Sequence, residues 1–143
     1  MSIKESLSVF DVSSSGLAAQ RLRMALVVQN VANANSVAGP DGKPYQRKEA
    51  IFAEMVGEIG SQDDENRFEG VKLESIVTSP VEAKTVYNPD HPMADKNGFV
   101  RYPNVDTMTE MVQMVSASRS YEANLSVMKT YRQMLERTLS LLR

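Results

Sequence analysis

Apolar side chains recur at alternating spacings of three and four residues along the C-terminal segment from Val105 to Arg143. Eight of the ten positions in this series are apolar, and the segment contains neither Pro nor Gly. A seam that repeats about every 3.5 residues is typical of a helix that packs lengthwise against another helix. We predict a long helix here, with Asp106 or Thr107 capping its start. The apolar seam residues are Met111, Met114, Tyr121, Leu125, Met128, Leu135, Leu139 and Leu142.

A second seam with the same spacing runs along the N-terminal segment. Seven of its ten positions are apolar. An Asn-rich stretch and then a cluster of Gly and Pro residues, which together extend from Asn30 to Tyr45, predict the end of this helix. The apolar seam residues are Ile3, Leu7, Phe10, Leu17, Met24, Val28 and Val31.

The two seams predict how the ends of the chain pair. Each spans about 35 residues, which as a helix gives a rod of roughly 50 Å. Because the seams have nearly equal lengths, we expect an antiparallel coiled coil in which facing residues have numbers that sum to roughly 145. The pattern alone is equally compatible with two amphipathic helices packed on a compact core.

The chain between the seams has a different composition. Residues 36–104 hold all six prolines and six of the seven glycines, and they carry twelve Asp and Glu against eight Lys and Arg. Alternating and β-branched residues predict a small sheet with long loops. The predicted strands are 46–56, 70–78, 84–87 and 99–102.

These patterns define an α+β fold with two parts. The terminal helical domain consists of residues 1–35 and 105–143, and the β-rich insert consists of residues 36–104. At 143 residues and 15.9 kDa, the chain fits one medium-sized domain.

Composition excludes several kinds of chemistry. The net charge of −2 gives no case for nucleic-acid binding. The absence of Cys excludes disulfides and a thiol nucleophile. The first residues, Met1 to Glu5, lack the apolar region of a secretory signal, so we expect any export to proceed without a cleaved signal peptide.

The sequence offers no group of residues suited to catalysis. His91 is the only histidine and has no evident partner beyond Asp90. The acidic run 63–66 has adjacent carboxylates and lacks the spacing of a calcium loop, so we expect a solvated loop tip. The hydroxyl-rich stretch 116–120 has no accompanying base. We therefore expect no catalytic residue, metal, cofactor or small-molecule substrate.

Several stretches resemble a known family. Residues 27–36 resemble the N-terminal motif of the bacterial flagellar rod and hook proteins, with Ser36 where Thr is more frequent. Further stretches are similar, in the same order, to the proximal rod members of that family, namely residues 39–45, 87–92, 98–100, 103–106, 110–112 and 116–124. Residues 53–69 match weakly. The motif residues are Asn30, Asn33, Asn35, Gly39, Gly42, Tyr45, Pro103, Asn104, Ser118, Arg119, Tyr121 and Asn124.

The resemblance implies a structural function. Members of this family are not enzymes; they stack helically with copies of themselves and with other rod proteins into the basal-body rod, which crosses the periplasm and transmits torque. Their terminal helices form the inner tube, and the β insert lies outside. The resemblance also implies export through the flagellar type III apparatus without a cleaved signal peptide.

A coiled-coil adaptor or chaperone-like protein that binds one partner helix is the alternative function. The two functions differ in how many faces of each helix are covered, because a rod subunit contacts several neighbours. Apolar residues outside the seams favour the rod subunit. They are Val9, Val12, Leu22, Leu26, Met108, Val112, Val115, Val127, Met134 and Leu141.

Overall fold

The computed structural model describes residues 3–37, 43–56 and 68–141 and confirms the α+β class. Two long helices enclose four strands in the order of the chain. The predicted acidic loop tip at residues 63–66 lies outside the described residues. The elements are α1 (Ile3–Ala32), β1 (Lys48–Val56), β2 (Phe68–Thr78), β3 (Lys84–Tyr87), β4 (Phe99–Tyr102) and α2 (Thr107–Leu141).

Polar side chains cap both helices at the predicted places. One carboxylate oxygen of Asp106 accepts the backbone N–H of Met108 at 3.1 Å, and the other accepts the hydroxyl of Thr109. The Thr109 hydroxyl and the Met108 N–H hold the pKa of Asp106 below its ordinary value. At the end of α1, the Asn33 side chain donates to the Gln29 carbonyl at 2.8 Å. Asp106 is thus the N-cap that the sequence offered as one of two candidates.

The two helices lie antiparallel, as three contacts along their length demonstrate. The rings of Phe10 and Tyr131 pack edge to face with centroids 5.2 Å apart. Further along, a Cβ atom placed on Gly16 would lie 2.8 Å from Nδ2 of Asn124. Asn30 donates to Glu110 at 3.0 Å. The paired residue numbers sum to 140 or 141, so the expected register was wrong by about one helical turn.

The buried side of each helix differs from the predicted seam. At most of the alternate seam positions, the residue one place earlier in the sequence is the more buried of the two. Val27 is buried and Val28 exposed in α1, and in α2 Glu110 is buried and Met111 exposed. The sequence seam chose apolar residues, but the buried side of the pair contains polar and small ones. The buried residues on this side are Ser13, Val27, Asn30 and Ala34 in α1 and Glu110, Ala117 and Tyr131 in α2.

The insert forms two separate hairpins, where the sequence predicted one small sheet. β1 pairs with β2, and β3 pairs with β4, both antiparallel. Pro80 lies between the hairpins, and because Pro lacks an N–H group it cannot extend a strand ladder. The predicted bounds of β3 and β4 are confirmed, whereas β1 starts two residues later and β2 starts two residues earlier.

In the described part of the chain, only the β1–β2 hairpin packs against a helix. The β1–β2 ribbon packs along α1, where the Arg23 guanidinium lies 5.4 Å from the centroid of the Phe52 ring. The β3–β4 hairpin packs against no other described helix or strand. Its loop is ordered locally by Asp95, whose carboxylate accepts the N–H groups of Phe99 and Asn97. Those bonds hold the pKa of Asp95 below its ordinary value.

The ribbon approaches α1 closely at Gly70. Its φ of +123° is one that side chains disfavour, and a Cβ atom there would lie 2.2 Å from Oγ of Ser15. We expect Gly70→Ala to lower the free energy of unfolding by about 2 kcal/mol, through backbone strain and overpacking. Chemical denaturation of the full chain measures this loss.

Ser15→Ala in the Gly70→Ala background is the matched control. It removes the clashing hydroxyl but leaves φ unchanged, and it also removes the hydrogen bond that this hydroxyl accepts from the Val71 N–H at 3.1 Å. We therefore expect it to restore only part of the loss, and Ser15→Ala alone measures the contribution of that hydrogen bond. Wild-type stability in Gly70→Ala alone would contradict the close packing of the ribbon on α1.

Candidate subunit-interaction surface and its polar joint

Asn30 is the centre of a buried polar joint, which we define as Asn30, Tyr45, Arg47 and Glu110. Only 1% of Asn30 is exposed, yet its side chain makes four hydrogen bonds. Its amide nitrogen donates to the Lys48 carbonyl at 2.9 Å and to Glu110 at 3.0 Å. Its amide oxygen accepts the Tyr45 hydroxyl at 2.8 Å and the Lys48 N–H at 2.9 Å. The full hydrogen-bonding capacity of the amide is satisfied.

Glu110 and Arg47 form the charged half of the joint. The Glu110 side chain is 1% exposed and accepts Nε of Arg47 at 2.6 Å. Arg47 also donates to Glu49 at 2.8 Å and to Gln113 at 3.2 Å. A buried carboxylate is tolerated only when it is paired and hydrogen-bonded, and here Asn30 and Arg47 supply both conditions.

The joint perturbs the titration of two of its members. Burial raises the pKa of the Tyr45 hydroxyl, and the charge of Glu110 raises it further while Arg47 opposes the change. Burial alone lowers the pKa of Arg47, but the hydrogen bonds and charges of Glu49 and Glu110 outweigh it and raise that pKa above its ordinary value. Tyr45 therefore stays neutral and Arg47 stays charged at physiological pH.

α2 carries an open apolar face on the side away from α1. Met108, Met111, Val112 and Val115 are all exposed, Val112 by 68%. Ala117, which is buried, follows Met108 by nine residues, or about two and a half turns, and so lies on the opposite side of the helix. The first half of α2 is therefore apolar on a second face that no other described residue of the chain covers.

A further open stripe follows the second half of α2. Val127, Met134 and Leu141 are exposed and recur every seven residues, which places them along one side of the helix. Leu139 is also exposed, by 65%, on another side. Exposed apolar side chains of this kind make this stripe a candidate interaction surface.

The structure divides the predicted seam residues into three groups. Phe10, Leu17, Met24, Val31, Met114, Tyr121, Leu125, Met128 and Leu135 are half-buried. Val28, Met111 and Leu139 are exposed. Leu142 and the side chains of Ile3 and Leu7 lie outside the described parts of the structure.

The residues of the family motif have several different environments. Asn30 and Tyr45 belong to the polar joint, Asn33 caps α1 and Pro103 is buried. Ser118 and Tyr121 are half-buried, and Asn124 packs on Gly16. Asn35, Asn104 and Arg119 are exposed, whereas Gly39 and Gly42 lie outside the described residues.

Sequence reasoning missed Arg47 and the burial of Glu110. The position of Glu110 in the first turn of α2 indicated only a favourable interaction with the helix dipole. Arg47 is 63 residues away in the chain, and no periodic pattern connects it with α2. The one usable signal was Asn30, a polar residue in the valine-rich stretch near the end of α1.

No other kind of site emerges from the described residues. They contain no group of His, Asp and Glu that could hold a metal ion, and neither helix is long and apolar enough to cross a membrane. His91 is held within its loop, where Nδ1 accepts the Met93 N–H at 3.1 Å and the ring packs on Tyr102.

Long helices that expose apolar side chains, together with a small β insert, are typical of a structural protein that contacts other proteins. Residues 96–141 match the family described as flagellar basal body rod FlgEFG protein C-terminal. The chain is 45% identical over 135 residues to the flagellar basal-body rod protein FlgC of Salmonella typhimurium. It is 42% identical over 135 residues to FlgC of Escherichia coli O157:H7, and 39% identical over 146 residues to FlgC of Borreliella burgdorferi. Each match covers 94% of this chain and 96% of the relative.

The chain belongs to the flagellar basal-body rod protein FlgC family. It is a structural subunit of the rod in the bacterial flagellar basal body.

Removing Arg47 should destabilise the subunit strongly. In Arg47→Ala the Glu110 carboxylate stays buried without its cation, so we expect the free energy of unfolding to fall by about 3–5 kcal/mol. Arg132→Ala is the matched control, because Arg132 pairs with Glu136 on the exposed surface of α2. That variant should change stability by less than about 0.5 kcal/mol. Equal losses in the two variants, measured by denaturation, would show that the joint is not a buried ion pair.

Proposed function

We propose that this subunit stacks helically with copies of itself and with other rod proteins, and that contacts along the rod axis transmit torque across the periplasm. The observation that carries this proposal is the apolar surface of α2 on the side away from α1. Buried apolar area supplies most of the free energy of association. A helix with apolar residues on several sides is therefore suited to a position among several neighbours.

In this proposal the terminal helices, residues 1–35 and 105–143, form one domain that lines the inner tube. Residues 36–104 form the insert outside it. The half-buried and buried residues of α1 and α2 recur at spacings of three and four, which supports coiled-coil pairing. Positions 10, 17, 24 and 31 alternate with 13, 20, 27 and 34 in α1. Positions 114, 121, 128 and 135 alternate with 110, 117, 124 and 131 in α2.

The proposed subunit contacts follow from what this pairing leaves open. The exposed seam residues Val28, Met111 and Leu139 join the open faces of α2 as contacts to neighbouring subunits. Half-buried seam residues such as Tyr121 and Met128 serve the pair itself and contribute their exposed edges to the same contacts.

The remaining parts of the proposal concern export and chemistry. We infer that the subunit reaches the rod through the flagellar type III export apparatus without a cleaved signal peptide. The subunit is not an enzyme and binds neither nucleic acid nor a small-molecule substrate. Its named relatives are rod proteins, and the polar groups at its joint are occupied by one another, which supports a structural role.

A coiled-coil adaptor for a single partner helix is the less favoured function. Such an adaptor needs one open groove, whereas α2 has exposed apolar residues both around Val112 and around Met134. One bound helix would leave part of this surface in water.

Leu139→Asp tests the assembly function. Leu139 is exposed in the single subunit, so a charge there should leave the fold unchanged. Once a neighbour covers the position, the charge is desolvated at every subunit contact, and we expect loss of incorporation into basal bodies and loss of swimming. The measurements are motility and the subunit content of purified basal bodies in cells that lack the wild-type copy.

Leu139→Met is the matched control, because it conserves volume and apolar character and should support swimming. Normal swimming of Leu139→Asp cells would show that this position is not an assembly contact. An unfolded β insert in the purified variant would show that the insert depends on this end of α2.

A further inference from the structure

The polar joint is the described hydrogen-bonded link between the insert and α2. Among the described helices and strands, α2 packs against α1 alone. Its side-chain hydrogen bonds to the described part of the insert come from Arg47, to Glu110 and Gln113. The β3–β4 hairpin from which α2 emerges packs on no other described element, so it does not fix the position of α2.

Outside the joint, the contacts of the helix pair that are specific to one register are the Phe10–Tyr131 ring contact and the close approach of Asn124 to Gly16. Repeating apolar and small residues allow two helices to slide by seven residues and regain similar contacts. The native register even leaves two polar atoms, Gln20 Oε1 and Tyr131 Oη, buried without a hydrogen-bond partner among the described residues. Those two side chains therefore give no hydrogen-bond preference for this register.

We propose that the joint is a register lock for the helix pair. Asn30 and Glu110 meet only when their turns are level, and a slip of seven residues moves them roughly 10 Å apart. A slip in one direction places Asn30 opposite Ala117 and Glu110 beyond the end of α1, and a slip in the other places Asn30 before the start of α2. In both cases the two groups lose their hydrogen bond to each other, which carries a desolvation cost wherever either stays buried. Because Arg47 holds Glu110 and the Asn30 amide holds the Lys48 backbone, the same lock sets the position of the insert against both helices.

The lock matters for assembly because it aligns two surfaces. The open face around Val112 lies on α2, whereas the β1–β2 ribbon packs on α1. A slipped register would move one relative to the other by about two turns, and a neighbour fitted to both could not bind. This consequence rests on the proposed stacking function, whereas the register itself can be tested on the isolated chain.

Cysteine cross-linking distinguishes the registers, because the chain contains no cysteine of its own. Gly16→Cys with Asn124→Cys reports the native register. Gly16→Cys with Ala117→Cys, or with Tyr131→Cys, reports a slip of seven residues in either direction. A disulfide needs Cα atoms within about 7 Å, so each pair reports one register.

The lock is removed by replacing Asn30 with Leu, Arg47 with Met and Glu110 with Leu together. Replacing these three residues together avoids the unpaired buried charge that a single substitution leaves, and apolar replacement of a buried ion pair is often neutral for stability. Tyr45 and the Lys48 backbone lose only their uncharged partner, Asn30. We expect the native pair alone to cross-link in the parent chain. In the triple variant a slipped pair should reach at least about one-third of the native yield, at unchanged helicity by circular dichroism.

Gln113→Leu is the matched control. It removes the outer contact of Arg47 but leaves Asn30 and Glu110 paired, so it should keep native cross-linking alone. Exclusive native cross-linking in the triple variant would overturn the proposal, since something else would then set the register. Loss of every cross-link in the triple variant would overturn it too, because the joint would then be needed for pairing itself. Absence of the native cross-link in the parent would contradict the geometry.

If the register slips as proposed but the triple variant still assembles into motile rods, the lock stands and the stacking function does not depend on it. The two failures are therefore distinguishable.

Discussion

The buried bond between Asn30 and Glu110, neutralised by Arg47, is the constraint on which the rest of this subunit depends. It joins the end of α1, the start of β1 and the first turn of α2 at one place. Burying these groups costs desolvation free energy. Their hydrogen bonds and ion pair offset that cost but add little net stability. Its contribution is therefore specificity of arrangement more than stability, and stability has to come from apolar surface elsewhere.

That apolar surface is largely directed outward. The buried hydrophobic residues in the described structure are few: Leu26, Val27, Ala34, Val100, Ala117 and Tyr131. Chains of this length ordinarily bury a larger core. The helix pair thus buries small and polar residues beside a few large apolar ones, and Asn124 approaches Gly16 closely. Valines and methionines such as Val112 and Met111 stay exposed.

This inversion, in which polar groups are buried and many apolar side chains are exposed, explains which parts of the fold could be predicted from sequence. Periodicity identified both helices, and Asp106 was one of two candidates for the cap of α2. Short extended segments were predicted at the true bounds of β3 and β4. The phase of the seams failed because an apolar pattern selects Val28 and Met111, which face away from the pair. The joint could not be predicted, since nothing in the sequence shows that Arg47 contacts Glu110, 63 residues further along the chain.

The same inversion sets the order in which interactions form on the proposed assembly pathway. In a free subunit, the polar contacts of the joint define the register of the helix pair. The free subunit lacks the apolar burial that stabilises a long helix. Neighbouring subunits then cover α2 and supply that burial, so most of the helical stability is gained on incorporation, as in coupled folding and binding. Because the register is defined before most apolar contacts form, a subunit in a wrong register has to break few apolar contacts to reach the native one.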